Sequence, residues 1–290
     1  MSRVARFGGA VFALPFVAAY SFLLILPFFM GLWISFHRAD LFGARQFIGL
    51  ENYTRLFADP VFYQAMGTTI LLAALIVPAL TIITLLLALA LNRATRSAAI
   101  FRGLFFSSSV LSVTIVTLIW RFVLTPDAGL IAKVLTAVGL EPLPFLSHPD
   151  LTVPAIAITT IWWGLGLPLM LFLAGLQQIP HDIYEAAALD RSSRWTTFFR
   201  ITLPSLRRTT ILVIMLQTAA QLQIFGQAQL LTSGGPSGSS RPVVLYIYEI
   251  AFHRWELGYA IAAAEVLFVL VLALTLGQYW LSSRNEERRA

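Results

Sequence analysis

The stretch GTTILLAALIVPALTIITLLLALAL, residues 67 to 91, carries no charged side chain. Its apolar residues run on without a break and do not alternate with period two. A bilayer core about 30 Å thick needs roughly 20 such residues in a helix. Backbone groups in lipid must be satisfied within a helix or a closed barrel, and a continuous run excludes the barrel. Five further stretches read the same way: 10 to 36, 104 to 124, 152 to 176, 209 to 231 and 258 to 281. The fold expected is an all-α polytopic membrane protein of six transmembrane helices, one domain over residues 1 to 290.

Composition agrees. The chain of 290 residues is 58% apolar and 12% charged, whereas soluble proteins carry about 25% charged residues to cover their surface. The excess of 20 Lys and Arg over 14 Asp and Glu lies in short patches between apolar runs, not on one solvated face, which argues against a nucleic-acid partner. With no cysteine there is no disulfide framework, thiolate metal site or cysteine nucleophile. His37, His148, His181 and His253 lie far apart in connecting segments without metal-ligand spacing, so an enzyme reading finds no constellation to rest on.

Sidedness follows from basic residues in the connections. A cytoplasmic N-terminus puts Arg3, Arg6, Arg93, Arg96, Arg102, Arg191, Arg194, Arg200, Arg207, Arg208, Arg284, Arg288 and Arg289 inside. The outer side receives Arg38, Arg45, Arg55, Lys133, Arg241 and Arg254. Both termini are then expected in the cytoplasm of a cell-membrane protein, with lipid around it. The outer connections, 37 to 66, 125 to 151 and 232 to 257, suit docking surfaces but not a separate domain.

Two regions carry chemistry. In the fifth apolar stretch Gln217, Gln221, Gln223, Gln227 and Gln229 would be costly against lipid and so face other helices or a water-filled path. The inner connection 177 to 208 starts a short helix after Pro180, with Asp182 and Glu185 at its positive end. Ala186, Ala187 and Ala188 give that helix a surface another backbone could approach, with Ile183, Tyr184 and Leu189 as apolar anchors. From pattern alone, a helix lying on the membrane surface is equally compatible.

Glu185-Ala-Ala-Ala-Leu-Asp190 followed by Phe199-Arg-Ile-Thr-Leu-Pro204 resembles the EAA loop of inner-membrane permease subunits of binding-protein-dependent ABC importers. Further stretches resemble the carbohydrate-uptake branch, the maltose and glycerol 3-phosphate permease-like family: Ile48-Gly-Leu-Glu-Asn-Tyr53, Ile119-Trp-Arg121, Phe172-Leu-Ala-Gly-Leu176, Leu231-Thr-Ser-Gly-Gly-Pro236, Leu245-Tyr-Ile-Tyr248 and Leu257-Gly-Tyr259. The resemblance implies a transport subunit without a catalytic site or bound cofactor of its own. It implies a second homologous permease, two ATPase subunits that bind ATP and Mg, and an extracytoplasmic solute-binding protein that delivers sugar.

By resemblance, Tyr184, Glu185, Ala186, Ala187, Ala188, Leu189, Asp190 and Arg191 would couple to the ATPase. Gly166, Leu169, Gln221, Gln223, Gln227, Trp163 and Glu265 would border the substrate path, while packing or an interfacial belt also accounts for the tryptophans. Ser233, Gly234, Gly235 and Pro236 would contact the binding protein or form an outer gate. Two residues depart from the pattern. Arg191 stands where the family has Gly, so either the bend there differs or Arg191 takes an ordinary conformation. Glu265 is a carboxyl inside a span, either functional, or protonated or bonded to a helix in the partner subunit. Glycerol 3-phosphate or another polyol derivative is the alternative cargo, and an ion-coupled secondary transporter the alternative mechanism.

Overall fold

The computed structural model describes residues 13–40, 42–126 and 128–287, the side chains of 283–287 excepted. Arg3, Arg6, Arg288, Arg289, the Arg284 side chain and the start of the first stretch lie outside these residues. The chain divides into two compact units: residues 1–62 with 246–269, and 63–245 with 270–290.

In the first unit α1, Ala13–Ser35, is apolar on every side and exposes Phe16, Phe22, Leu23, Phe29 and Trp33. A soluble surface would not tolerate that, whereas lipid or a neighbouring helix does. The all-α expectation needs one correction, a small antiparallel hairpin of β1, His37–Ala39, and β2, Arg45–Phe47, in register His37↔Phe47. The Ile48–Tyr53 segment explains why it folds. Ile48 N–H donates to the Phe36 carbonyl at 2.9 Å, and the buried Asn52 amide donates to the carbonyls of Ser35 at 2.7 Å and His37 at 3.0 Å. These are chain-end acceptors that would otherwise be orphaned. Asn52 lies in α2, Glu51–Ala58.

The second unit holds most of α3, Pro60–Leu91, then α4, Arg96–Ser108, α5, Val113–Leu124, α6, Leu130–Ala137, α7, Pro149–Trp163, and α8, Gly166–Gln177. It continues with α9, His181–Leu189, α10, residues 194–205 with a π turn at Phe198–Thr202, α11, Arg207–Gln221, and α12, Gly226–Leu231. The chain closes with α13, Val243–Phe252, and α14, Leu257–Glu287, each shared between the units. Thr95, Ser112 and Ser193 start α4, α5 and α10 by accepting from Ala98, Ile115 and Thr196 N–H groups, as N-caps do. Buried hydroxyls in the spans are satisfied locally: Thr69, Thr81, Thr159 and Thr160 each donate to the carbonyl four residues back at 2.7 to 2.8 Å. Ala88, Leu91, Ala98, Leu169, Phe172, Leu173, Leu176, Leu206 and Val213 form one core cluster, which gathers the ends of α3, α8 and α11 around Leu206.

Among the described residues, three of the six expected spans are single apolar helices and two are bent pairs, while the stretch 209 to 231 is not by itself a helix long and apolar enough to cross. Helices α1, α3 and α14 are each long and apolar enough to cross a membrane. The stretch 104 to 124 turns by 99° between α4 and α5, and 152 to 176 bends by 48° between α7 and α8. Pro149, Asp150 and Ser112 sit at helix starts, and the breaks fall at Ser109–Ser112 and Gly164–Leu165. The stretch 209 to 231 is also broken. Helix α11 ends at Gln221, residues 222–225 leave the helix, and α12 resumes at Gly226.

Candidate functional site

Helix α9 is bound to its own chain on one side only. Ala187 is buried and the Tyr184 hydroxyl lies 3.1 Å from Thr202 Oγ1 in the π turn, so these two residues, three apart, face inward. Tyr184 is therefore not an outward anchor. Asp182, Ile183, Glu185, Ala186, Ala188, Leu189 and Asp190 are exposed, with Leu189 at 85%. Beyond the bend Trp195, 74% exposed, stacks on Phe199 at 6.0 Å.

The bend corrects the reading of Arg191. Its φ is 54°, so neither a different bend nor an ordinary conformation occurs. Arg191 N–H donates to Ala188 at 3.1 Å and Ser192 N–H to Ala187 at 3.0 Å, the paired bonds of a Schellman helix end. Arg takes the left-handed position that Gly usually fills, at about 1–2 kcal/mol. Arg191→Gly should stabilise this end by roughly 0.5–1 kcal/mol after the entropy of Gly is subtracted. Amide exchange at Ser192 should slow about twofold to fivefold. Faster exchange would show that the Arg side chain holds the bend.

Behind the loop, α8 meets the start of α11. A Cβ on Gly175 would stand 2.6 Å from Thr209 Oγ1 and 3.0 Å from Leu206 Cδ2. This accounts for Gly in Phe172–Leu176, since no larger residue permits so close an approach. Leu206, fully buried, carries the end of the loop into the core cluster. The end of the loop is thus joined to α8 and α11 through packed atoms.

The residues expected along the path fall into two groups. Gly166, Leu169 and Trp163 belong to the packing of the α4–α5 corner on α7 and α8. Gly166 N–H donates to Ser109 Oγ at 3.1 Å, Ser109 Oγ donates to the Trp163 carbonyl at 3.0 Å, and the Trp163 indole donates to the Leu111 carbonyl at 3.1 Å. Leu169 is fully buried. Gln217, Gln221 and Gln227 are buried too, and the Gln221 amide donates to Gln217 Oε1 at 3.2 Å, a bond within one helix face. Gln223 differs. It is exposed, at the break of the fifth stretch, and its amide donates only to the Ala219 carbonyl at 3.0 Å. Glu265 is half-buried in α14, and a Cβ on Gly31 of α1 would stand 3.6 Å from its Oε1.

The segment Ser233–Pro236 is a fixed loop. Ser233, Gly234, Ser237 and Gly238 have positive φ, and the Gly235–Pro236 peptide is cis. Ser240 Oγ donates to the Gly235 carbonyl at 2.6 Å, and Val243 N–H donates to Thr69 Oγ1 at 2.8 Å, which pins the loop's exit to α3.

A polar network in the first unit was not legible as a site in the sequence. Asp59 Oδ2 accepts from the hydroxyls of Tyr246 at 2.6 Å and Tyr259 at 3.2 Å. The Arg55 guanidinium lies 4.2 Å over the Tyr259 ring and pairs with Glu256 at 2.6 Å. Burial, and then the bond to Asp59, push the Tyr246 phenol upward, so it acts as a donor at all ordinary pH. The Tyr residues of Leu245–Tyr248 and Leu257–Tyr259 were the available signal, but nothing in the spacing joined them to Asp59. Among the described residues no three His, Asp or Glu converge to hold a metal.

The fold is that of a polytopic helical membrane protein whose helix α9 is exposed along one side. The chain belongs to the family described as the inner membrane component of binding-protein-dependent transport systems, which matches residues 84–287. It is 33% identical to the multiple sugar-binding transport system permease protein MsmF of Streptococcus mutans, over 90% of each chain. It is 32% identical to the trehalose/maltose transport system permease protein MalF of Thermococcus litoralis, over 92% of this chain and 91% of that one. A crystal structure of a bacterial alginate ABC transporter in complex with alginate pentasaccharide-bound periplasmic protein contains a chain of the same fold. It has TM-score 0.85 and 25% identity, and the match covers 95% of this chain and 93% of that one.

Proposed function

We propose that the chain is the permease subunit of an ATP-driven importer that moves a sugar across the cell membrane. It would pair with a second, homologous permease, sit on two ATPase subunits that bind ATP and Mg, and receive its cargo from an extracytoplasmic binding protein. The observation that carries this reading is the outward face of α9. Glu185, Ala186, Ala188 and Leu189 stand clear of their own chain on an element whose far end is buried in the core at Leu206. In this reading α9 fills a groove on the ATPase, Glu185 pairs with a basic residue there, and closure of the ATPases pulls on α8 and α11. The stretch 209 to 231 crosses the membrane as the fifth of six spans, and the termini, α9 and α10 lie in the cytoplasm.

The cargo is read as a neutral carbohydrate because relatives that span this chain's length carry sugars and the spans hold no deep basic residue to favour a phosphate. Irregular backbone at membrane depth is tolerated where it lines a cavity, and broken helices mark transport sites. Gln223, at the break, is therefore the proposed sugar contact. Gln223→Leu keeps the volume and removes the amide, so apparent affinity should fall about threefold to thirtyfold with folding unharmed. An unchanged substrate constant with lower thermal stability would make Gln223 a structural residue. The overall reading is tested by ATPase stimulation of the reconstituted complex with its binding protein across sugars and polyols. Stimulation by no sugar, or by glycerol 3-phosphate alone, would overturn it.

A further inference from the structure

Within the first unit the hairpin, α2 and the turn before α14 enclose a pocket of about 520 Å³. That size falls within the roughly 300–1,000 Å³ of small-molecule sites. Its wall mixes apolar and polar surface, and its charges cancel: Arg38, Arg45 and Arg55 stand with Asp40, Glu51 and Glu256. Two of the guanidinium groups are already paired, Arg38 with Glu51 at 2.8 Å and Arg55 with Glu256 at 2.6 Å. Among the described residues the Arg45 side chain has no polar partner, which leaves its donors to a ligand.

The remaining wall includes two aromatic rings, Tyr259 and Trp255, beside Ala39, Ile48 and Asn52 among others. Trp255 has φ 61°, a left-handed conformation that is a genuine outlier for a bulky side chain. It follows the end of α13, where Gly would fit without strain. Strain of this kind persists where surrounding structure fixes it, and it gathers at ligand clamps. The indole lies 5.7 Å from the Phe42 ring at the hairpin and is itself about half exposed, so this chain covers it only in part.

We propose that this pocket is a saccharide subsite, separate from the path at Gln223. A sugar ring offers hydroxyls at its edge, which planar guanidinium and carboxylate groups bind in pairs, and C–H faces that an indole plate covers. The balanced charge suits an uncharged ligand, and the hollow shape suits a small molecule better than a protein surface, which supplies projecting anchors. The subsite rests on the sugar-importer reading, and it lies in the connections proposed as external.

The test uses the assembled importer in lipid nanodiscs, without its binding protein, and equilibrium dialysis of labelled maltotriose, lactose and trehalose. At least one of these should bind. Trp255→Gly should weaken that binding roughly tenfold while thermal stability holds or rises, because the substitution also relieves strain. Arg45→Ala, at an exposed residue without polar partners, should weaken it about threefold to tenfold with stability unchanged. Equal sugar binding in wild type and Trp255→Gly would overturn the proposal, as would loss of binding-protein affinity with sugar binding intact, which would make the pocket a protein-docking face. No binding of any of the three sugars, in a complex whose ATPase they stimulate once the binding protein is added, would overturn the subsite and leave the importer reading standing. Absence of both sugar binding and sugar stimulation would remove both.

Discussion

Glu185→Lys should abolish coupled transport while leaving the membrane fold intact. Glu185 is exposed on α9, beside Ala186 and Ala188 and away from the inward pair Tyr184 and Ala187, so its replacement disturbs no contact within the chain. In the complex the new ammonium would meet the basic residue proposed to pair with the carboxylate. A buried pair broken in this way costs about 3–5 kcal/mol, because an uncompensated charge is left in the groove. Sugar uptake into vesicles should fall a hundredfold or more. Co-purification with the ATPase should drop, or ATP hydrolysis should continue without uptake. Glu185→Gln, which keeps a hydrogen-bonding group without the charge, should lose less. Normal uptake with unchanged co-purification in Glu185→Lys would show that α9 is not the docking element.

The membrane class, the helical spans and the position of α9 were all legible, because each depends on local composition: an apolar run, or a Pro180 and Asp182 start. The breaks were harder to see. Ser109–Ser112 and Gly164–Leu165 read as interruptions too slight to end a span, and apolarity is the same whether a helix is straight or bent by 99°. Arg191 was misread for a different reason. The bend is fixed by bonds to Ala187 and Ala188 and by the Tyr184–Thr202 contact, so tertiary structure overrode the local preference of Arg. Gln223 and Gln221 look alike in sequence. Only the end of α11 at Gln221 separates an amide bonded within a helix from one left at a gap. The Asp59 network joins residues some 190 to 200 apart along the chain, and the hairpin rests on Asn52 bonds back to Ser35 and His37; no periodic pattern records either pairing.

Asp59→Ala should lower the stability of the folded chain by about 2–3 kcal/mol, roughly thirtyfold to 150-fold in its folding equilibrium. Bonds to both carboxylate oxygens are lost together. Asp59 Oδ1 accepts from Val61 N–H at 2.8 Å and so caps the start of α3, while Oδ2 accepts from Tyr246 and Tyr259. Tyr246 is fully buried, and without the carboxylate its hydroxyl keeps only the Tyr259 oxygen, 3.0 Å away. Asp59→Asn, an equally good cap with an acceptor oxygen, should cost about 1 kcal/mol. The two substitutions separate by pH. Desolvation raises the Asp59 pKa, but the bonds from Tyr246, Val61, Tyr259 and the Phe62 backbone outweigh it and hold the carboxyl below its usual range. A carboxyl lowered on folding stabilises the fold above its unfolded pKa of about 3.9, and that contribution fades as pH falls through the folded value. The gap between wild type and Asp59→Asn in thermal unfolding should therefore be constant from pH 8 to about 5 and shrink below about 4. A gap that widened in acid would mean that Asp59 is protonated in the folded chain and holds the two tyrosines as a neutral acid.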